Sequence, residues 1–322
     1  MTNKNQFNFP IFIVSLIGAW YCHIVCHEAG HAVFGLISGY HFLSFRIGSW
    51  VATKSDGKIK LNHFKVPGIL GQCLMIPPKF TTAKNYPFRR YLLGGVIINI
   101  IITGVSILLY PSAPSVWSAF IFCGLMFIVL NGIPYSFNDA MSFKIAQKSE
   151  TGTWLLYVQL AVNAELNQGL TLIEMPAEFF KDLGNDVQTS YFGTWQETLR
   201  AQQMLENQDY NSAIDLLVPL WEHKNQIIPL IQLTIAGDLL FARCLVDPQN
   251  PQNQELWKFC NKQKSFKQKL LGNLRVKAAY LALIENDVPA AEQLMNSADQ
   301  FISPSRGEKI FEEKLISAIK NA

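Results

Sequence analysis

Residues 9 to 39, FPIFIVSLIGAWYCHIVCHEAGHAVFGLISG, form an apolar run whose only Asp, Glu, Lys or Arg is Glu28. As one helix of roughly 30 residues the run would measure about 45 Å, longer than the ~30 Å hydrocarbon core of a bilayer. It can cross a membrane once, tilted or protruding. A secretory leader would have a comparable apolar stretch, but no small-residue cleavage site follows. The run also leads straight into His23, His27, Glu28 and His31, so the segment reads as a retained span.

Two further runs, Leu92 to Tyr110 and Ser115 to Ile133, have the same character and are joined by Pro111-Ser112-Ala113-Pro114. They read as a tight helical hairpin. The chain is 49% apolar and only 16% charged over 322 residues, and its charges are unevenly distributed. Residues 1 to 139 carry 10 Lys or Arg against Glu28, Asp56 and Asp139, whereas residues 140 to 322 carry 17 basic and 21 acidic side chains. The expected organisation is a polytopic helical membrane core over residues 1–145 and a soluble all-α domain over 146–322.

Between the first two spans, residues 40 to 90 hold Arg46, Lys54, Lys58, Lys60, Lys65, Lys79, Lys84, Arg89 and Arg90 against Asp56 alone. The positive-inside rule puts this loop, and with it the C-terminal half, in the cytoplasm of a multi-pass protein of the cell membrane. The same cations could hold anionic lipid heads, although orientation is a sufficient reason for them. Within the loop, Phe42 to Val51 and Lys58 to Phe64 flank Ser55-Asp56-Gly57, which predicts a small β-hairpin. The apolar run Gly68 to Ile76 with the following Pro77-Pro78 reads as a re-entrant or surface-lying segment near the site formed by His27, Glu28 and His31.

Beyond residue 150 helices are expected near 153–168, 190–207, 210–223, 226–245, 254–263, 269–286, 288–301 and 307–320. Leu199-Arg200-Ala201 through Leu205-Glu206-Asn207 and Ser212-Ala213 is echoed by Leu274-Arg275-Val276 through Ile284-Glu285-Asn286 and Ala290-Ala291. Helical hairpins of tetratricopeptide type are the expectation, with a protein partner on them. The basic residues accompany membrane spans and the soluble half is slightly acidic, so nucleic acid is not an expected partner.

His27-Glu28-Ala29-Gly30-His31 puts two imidazoles on one helix face about 6 Å apart along the axis. With the chain's histidine and glutamate content, chance placement would give His-Glu-x-x-His on the order of 0.005 times. Ionisable groups within a bilayer each cost roughly 2.5 to 3.5 kcal/mol. A Zn²⁺ on His27, His31 and one carboxylate, with Glu28 ionised beside it, carries no net charge and removes that difficulty. Glu28 would be the general base of peptide hydrolysis. The best third ligand is Asp139, at the end of the third span, where Pro134 interrupts the helix and lets Asn131 and Asp139 turn toward one point. His23, one turn before His27, is either a fourth ligand that closes the site or a supporting residue. Cys22 and Cys26 read as free apolar filler, because thiolates and imidazoles together would over-supply a four-coordinate metal.

These residues resemble the site-2 protease, or M50-type, intramembrane metallopeptidases, which carry His-Glu-x-x-His in one span and Asn-x-x-Pro-x-x-x-Leu-Asp-Gly in a later one. The match lies at His27, Glu28, His31, Asn131, Pro134 and Asp139, with departures at Asn138 for Leu and Ala140 for Gly. The resemblance covers roughly residues 10 to 145. It implies Asp139 as third zinc ligand and a membrane-spanning or membrane-associated protein or peptide as substrate. Gly94-Gly95-Val96-Ile97-Ile98-Asn99 is similar to the family's Gly-rich segment ending in Asn. By that likeness Asn99 and Asn131 hold the substrate strand or its carbonyl oxygen; helix packing and interhelical hydrogen bonds are the competing reading. The competing function is a catalytically idle membrane scaffold that recruits partners through its helical domain.

Overall fold

The computed structural model describes residues 6–55, 58–63, 70–135, 138–184 and 190–321. The chain divides into two compact units, residues 1–161 and 162–322. It is mainly helical, with twelve α-helices and one four-stranded antiparallel sheet among the described residues.

Three helices are long and apolar enough to cross a membrane: α1 (Phe9–Ile37), α2 (Phe88–Leu109) and α3 (Pro114–Gly132). Asn8 caps α1 by accepting from the Ile11 N–H at 3.2 Å, and Pro10 stands in the first turn, where no amide hydrogen is needed. Gly39 ends the helix at φ +86°, a conformation costly for a side-chain-bearing residue. α2 begins at Phe88 rather than Leu92, because Pro87 delimits it. A short 3₁₀ turn at Tyr110–Ser112 and Pro114 then make the expected hairpin with α3.

The three helices expose many apolar side chains and bury several polar ones among apolar neighbours. Val14, Ile17, Ile101, Leu108, Leu125 and Val129 face outward, while His23, Asn99, Thr103, Ser106 and Ser115 are buried. An apolar exterior of this kind is consistent with helices that could cross a membrane.

The loop between α1 and α2 differs from the single hairpin expected of it. Its strands are β1 (His41–Ile47), β2 (Trp50–Ser55), β3 (Lys58–His63) and β4 (Gly71–Ile76), in the order β3-β2-β1-β4. The run Phe42 to Val51 breaks because Gly48, at φ +58°, turns the chain between Ile47 and Trp50. Ser55 pairs with Lys58 across the second turn, whose Asp56 and Gly57 lie outside the described residues, as does Phe64. Within the supposed re-entrant run, Gly71–Ile76 is instead the edge strand β4, paired with β1 from His41↔Ile76 to Ile47↔Gly71. Cys73 and Met75 alternate onto its buried face, and Met75 packs beside Gly35 of α1. That alternation is a strand's period of two, which an apolar count over the whole run does not separate from a membrane segment.

After α3 the chain breaks and resumes as α4 (Asp139–Lys148) and α5 (Glu150–Gln168). Residue 145 falls inside α4, and the division at 161/162 falls inside α5. The second unit contains α6 (Tyr191–Glu206), α7 (Tyr210–Glu222), α8 (Pro229–Val246), α9 (Gln252–Lys262), α10 (Leu271–Leu283), α11 (Val288–Asn296) and α12 (Arg306–Ile319), near the expected positions except that α11 ends five residues before 301.

The sequence echo in this unit is also a structural one. Gln208, at φ +62°, precedes Asp209, whose carboxylate caps α7 at the Ser212 N–H; Asn286, at φ +56°, precedes Asp287, which caps α11 at the Ala290 N–H. Ala213 and Ala291 are fully buried where each second helix packs. At the centre of the unit, Arg275 is buried against Asp238 at 2.6 Å and Glu312 at 2.8 Å, with its guanidinium 4.6 Å from the centre of the Phe241 ring.

Candidate metal centre

His27 and His31 lie one turn apart on the buried face of α1, 5% and 6% exposed. Their Nε2 atoms are 3.2 Å apart, and one oxygen of Asp139 sits 3.0 Å from the first and 3.2 Å from the second. Both ring nitrogens and the carboxylate oxygen are thus directed at one small volume.

Each ring is aimed by what holds its other nitrogen. His31 Nδ1 lies 2.8 Å from the Tyr91 carbonyl, which can only accept, so Nδ1 carries a proton and the Nε2 lone pair is free in the neutral ring. Tyr91 is itself fixed, its hydroxyl donating to the Cys73 carbonyl of β4 at 3.2 Å. His27 Nδ1 lies 3.0 Å from the side-chain amide of Asn99. That amide's other end meets His23 Nδ1 at 3.0 Å, and His23 Nε2 meets the Phe120 carbonyl of α3 at 3.0 Å. His23 and Asn99 are fully buried. His23 is therefore not in the ligand cluster, and both ends of the Asn99 amide are engaged by histidines.

Glycines bring α2 close enough for these contacts. Gly30 of α1 and Gly94 of α2 meet backbone to backbone, each occupying the space a Cβ on the other would need. A Cβ on Gly95 would fall 2.5 Å from Cε1 and 2.6 Å from Nε2 of His27. The Gly-Gly pair thus has two jobs: one glycine allows the helix crossing and the other leaves room for an imidazole.

Asp139 comes from the break after α3. Asn138 caps α4, its Oδ1 accepting from the Met141 N–H at 2.9 Å, while its amide nitrogen donates to the carbonyls of Leu130 at 2.6 Å and Ile133 at 2.7 Å. One side chain ties the last turn of α3 to the first of α4 and fixes the direction in which Asp139 enters the site. Burial raises the Asp139 carboxyl, but with the imidazoles protonated on Nε2 the His31 charge and the hydrogen bonds of both rings outweigh it and hold the group well below the usual carboxylate range. Asn131, half-buried at the end of α3, donates its amide to the Phe127 carbonyl at 3.2 Å. Ser136 and Phe137 lie outside the described residues.

Glu28 is half-buried beside the two histidines and Asp139, within electrostatic reach of all three. Its carboxylate accepts from the Cys73 N–H, and a Cβ on Gly71 would fall 2.8 Å from its Oε1. Gly71 therefore leaves the space that Glu28 occupies, as an isolated strand glycine often does. The roles of Tyr91 and Phe120 had no sequence signal, since both act through main-chain carbonyls that every residue carries.

His27, His31 and Asp139 could hold a metal ion: their ligand atoms all lie within 4.8 Å of one another. A tetrahedral ion with bonds of about 2.0 to 2.2 Å separates its ligands by roughly 3.3 Å, close to the spacing found. The donor chemistry, two neutral imidazoles and one carboxylate, suits a borderline divalent ion. All six cysteines are free, and Cys22 and Cys26, with sulfurs 3.9 Å apart, are not part of the cluster.

Comparison of the chain with protein-family models, with curated proteins and with solved structures finds no match in any of the three.

Proposed function

We propose that the chain is an intramembrane zinc metallopeptidase that hydrolyses peptide bonds of membrane-spanning or membrane-associated substrates. The observation that carries this reading is the convergence of His27, His31 and Asp139 on one point, with Glu28 alongside, inside a bundle whose outer surface is apolar. Two imidazoles and one carboxylate would hold a zinc ion with the three-residue ligand set of catalytic rather than structural sites. Zinc bound there supplies a Lewis acid for the scissile carbonyl and lowers the pKa of bound water toward ~7.

The rest belongs to the chain's own side chains. Glu28, steadied by the Cys73 N–H, takes the proton of the attacking water and returns one to the leaving amine. The ionised Glu28 and Asp139 balance a divalent ion, so the filled site is neutral where charge is costly. Strand β4, at the sheet edge and passing beside Glu28, offers main-chain groups to a substrate segment that has left its helical form. A cavity of about 410 Å³ lined by Leu93, Gly132, Pro134, Ala140 and Phe143 borders the residue next to Asp139 and gives room for its side chains. The three apolar helices cross the bilayer with the basic sheet region on the cytoplasmic side, and the C-terminal domain follows there. The matched turns at Gln208-Asp209 and Asn286-Asp287 support a tetratricopeptide-like surface for a protein partner.

The test is Glu28→Gln in the full chain, comparing peptides released from membranes with those of wild type. The expected outcome is loss of release with zinc still bound. Unchanged release would overturn the peptidase reading.

A further inference from the structure

The hydrogen bonds behind His27 form one continuous chain: Phe120 carbonyl, His23, Asn99, His27, with each link at 3.0 Å. Its three side chains come from two helices and its terminal carbonyl from a third, and all three side chains are buried. Such a chain admits few proton arrangements, and one of its ends is fixed. A main-chain carbonyl only accepts, so His23 Nε2 must carry a proton. A neutral His23 then has a bare Nδ1, which only accepts. The NH₂ end of Asn99 must face it, and the oxygen end must face His27. His27 in turn donates from Nδ1, which leaves its Nε2 lone pair free.

The structure places the amide the opposite way, with Asn99 Oδ1 on His23 and Nδ2 on His27, and that orientation needs protons on both nitrogens of His23. That places a cation in a fully buried pocket where the hydrogen-bond partners are an amide and a carbonyl. It also puts the proton of a neutral His27 on Nε2, the atom that points at Asp139 and His31. A half-turn of the amide interchanges the two states without moving the helices.

We propose that His23 and Asn99 are positioning residues that set the tautomer of His27: the Phe120 carbonyl fixes the proton on His23, His23 fixes the direction of the Asn99 amide, and the amide holds the His27 proton on Nδ1. The role is specific to His27, because His31 is fixed by the Tyr91 carbonyl directly. Packing supports it. A Cβ on Gly124 would fall 2.9 Å from His23 Cε1, and the His23 ring stacks on Phe127 at 5.9 Å, so the ring has one seat. The inference rests on the metal-binding reading of His27, His31 and Asp139, and it deepens that reading by extending the site to α3.

The experiment measures Zn²⁺ and Co²⁺ affinity of the full chain in detergent by chelator competition. His23→Leu and Asn99→Leu should each weaken binding about 10- to 100-fold, the usual loss when a ligand's outer partner is removed. The double variant should be little worse than either single one, since both break the same chain. ¹⁵N spectra of the zinc-loaded wild type should show His27 protonated on Nδ1 and His23 on Nε2, and these decide the matter even if a leucine variant fails to fold. A proton on His23 Nδ1 in the zinc-loaded protein, or unchanged affinity in a folded His23→Leu, overturns the inference and leaves the metal site standing. A wild type that binds neither metal overturns both.

Discussion

Gly95 on α2 faces His27 on α1 so closely that a methyl group there would fall 2.5 Å from the imidazole Cε1. A glycine in a transmembrane-length helix therefore has a function that helix packing alone does not explain. Gly95→Ala must push the ring aside and move its Nε2 off the common point with His31 and Asp139. Zinc affinity should fall at least tenfold, an effect comparable to losing a ligand's supporting partner. Gly104→Ala, on the same helix with nothing within 4 Å of the added carbon, is the control and should bind as wild type. Equal affinity in both variants would contradict the geometry.

Asn138 is the joint between α3 and α4, and the resembled family usually carries Leu at this position. Asn138→Leu removes the cap on Met141 and both carbonyl partners, Leu130 and Ile133. Loss of an N-cap costs about 0.5 to 2 kcal/mol. Lower thermal stability and weaker zinc binding are both expected, since Asp139 is the next residue. Asn138→Asp, which keeps the cap but cannot donate, should fall between the two. Wild-type zinc affinity in a folded Asn138→Leu would show that Asp139 is held by other means.

The helical unit should respond to pH through Glu308. Burial, and then the charge of Glu312, raise its carboxyl from near 4.5 to about 7 in spite of the bonds from Ser305. The folded state thus binds this proton more tightly than the unfolded chain does. The associated stability is fully present below about 4.5 and is lost as pH rises through about 7. Hydrogen exchange of the α12 amides, followed from pH 5 to 8, should accelerate beyond its intrinsic base dependence. Glu308→Gln should flatten that excess; the same excess in both proteins would remove Glu308 as its source.

Much of the candidate site was legible along the chain because its determinants are local. The spacing of His27 and His31 puts two rings on one helix face wherever that helix lies, and the apolar runs mark α1, α2 and α3 by length alone. Asp139 was legible through the motif around Pro134. Turn residues and apolar periods likewise gave the helices of the second unit.

Other features depended on contacts between residues distant in sequence. Strand β4 was hidden because a short apolar run has the same composition in a strand as in a membrane segment, and only pairing with β1 distinguishes them. The carbonyls of Tyr91 and Phe120 carry no side-chain signature, so their hold on His31 and His23 exists only once three helices have packed. The sequence by itself determined the candidate ligand types and the apolar segments, since these follow from side-chain chemistry and the helical period. The tertiary structure alone decided which nitrogen of each histidine points at the common centre, because that depends on acceptors brought together across the packed helices.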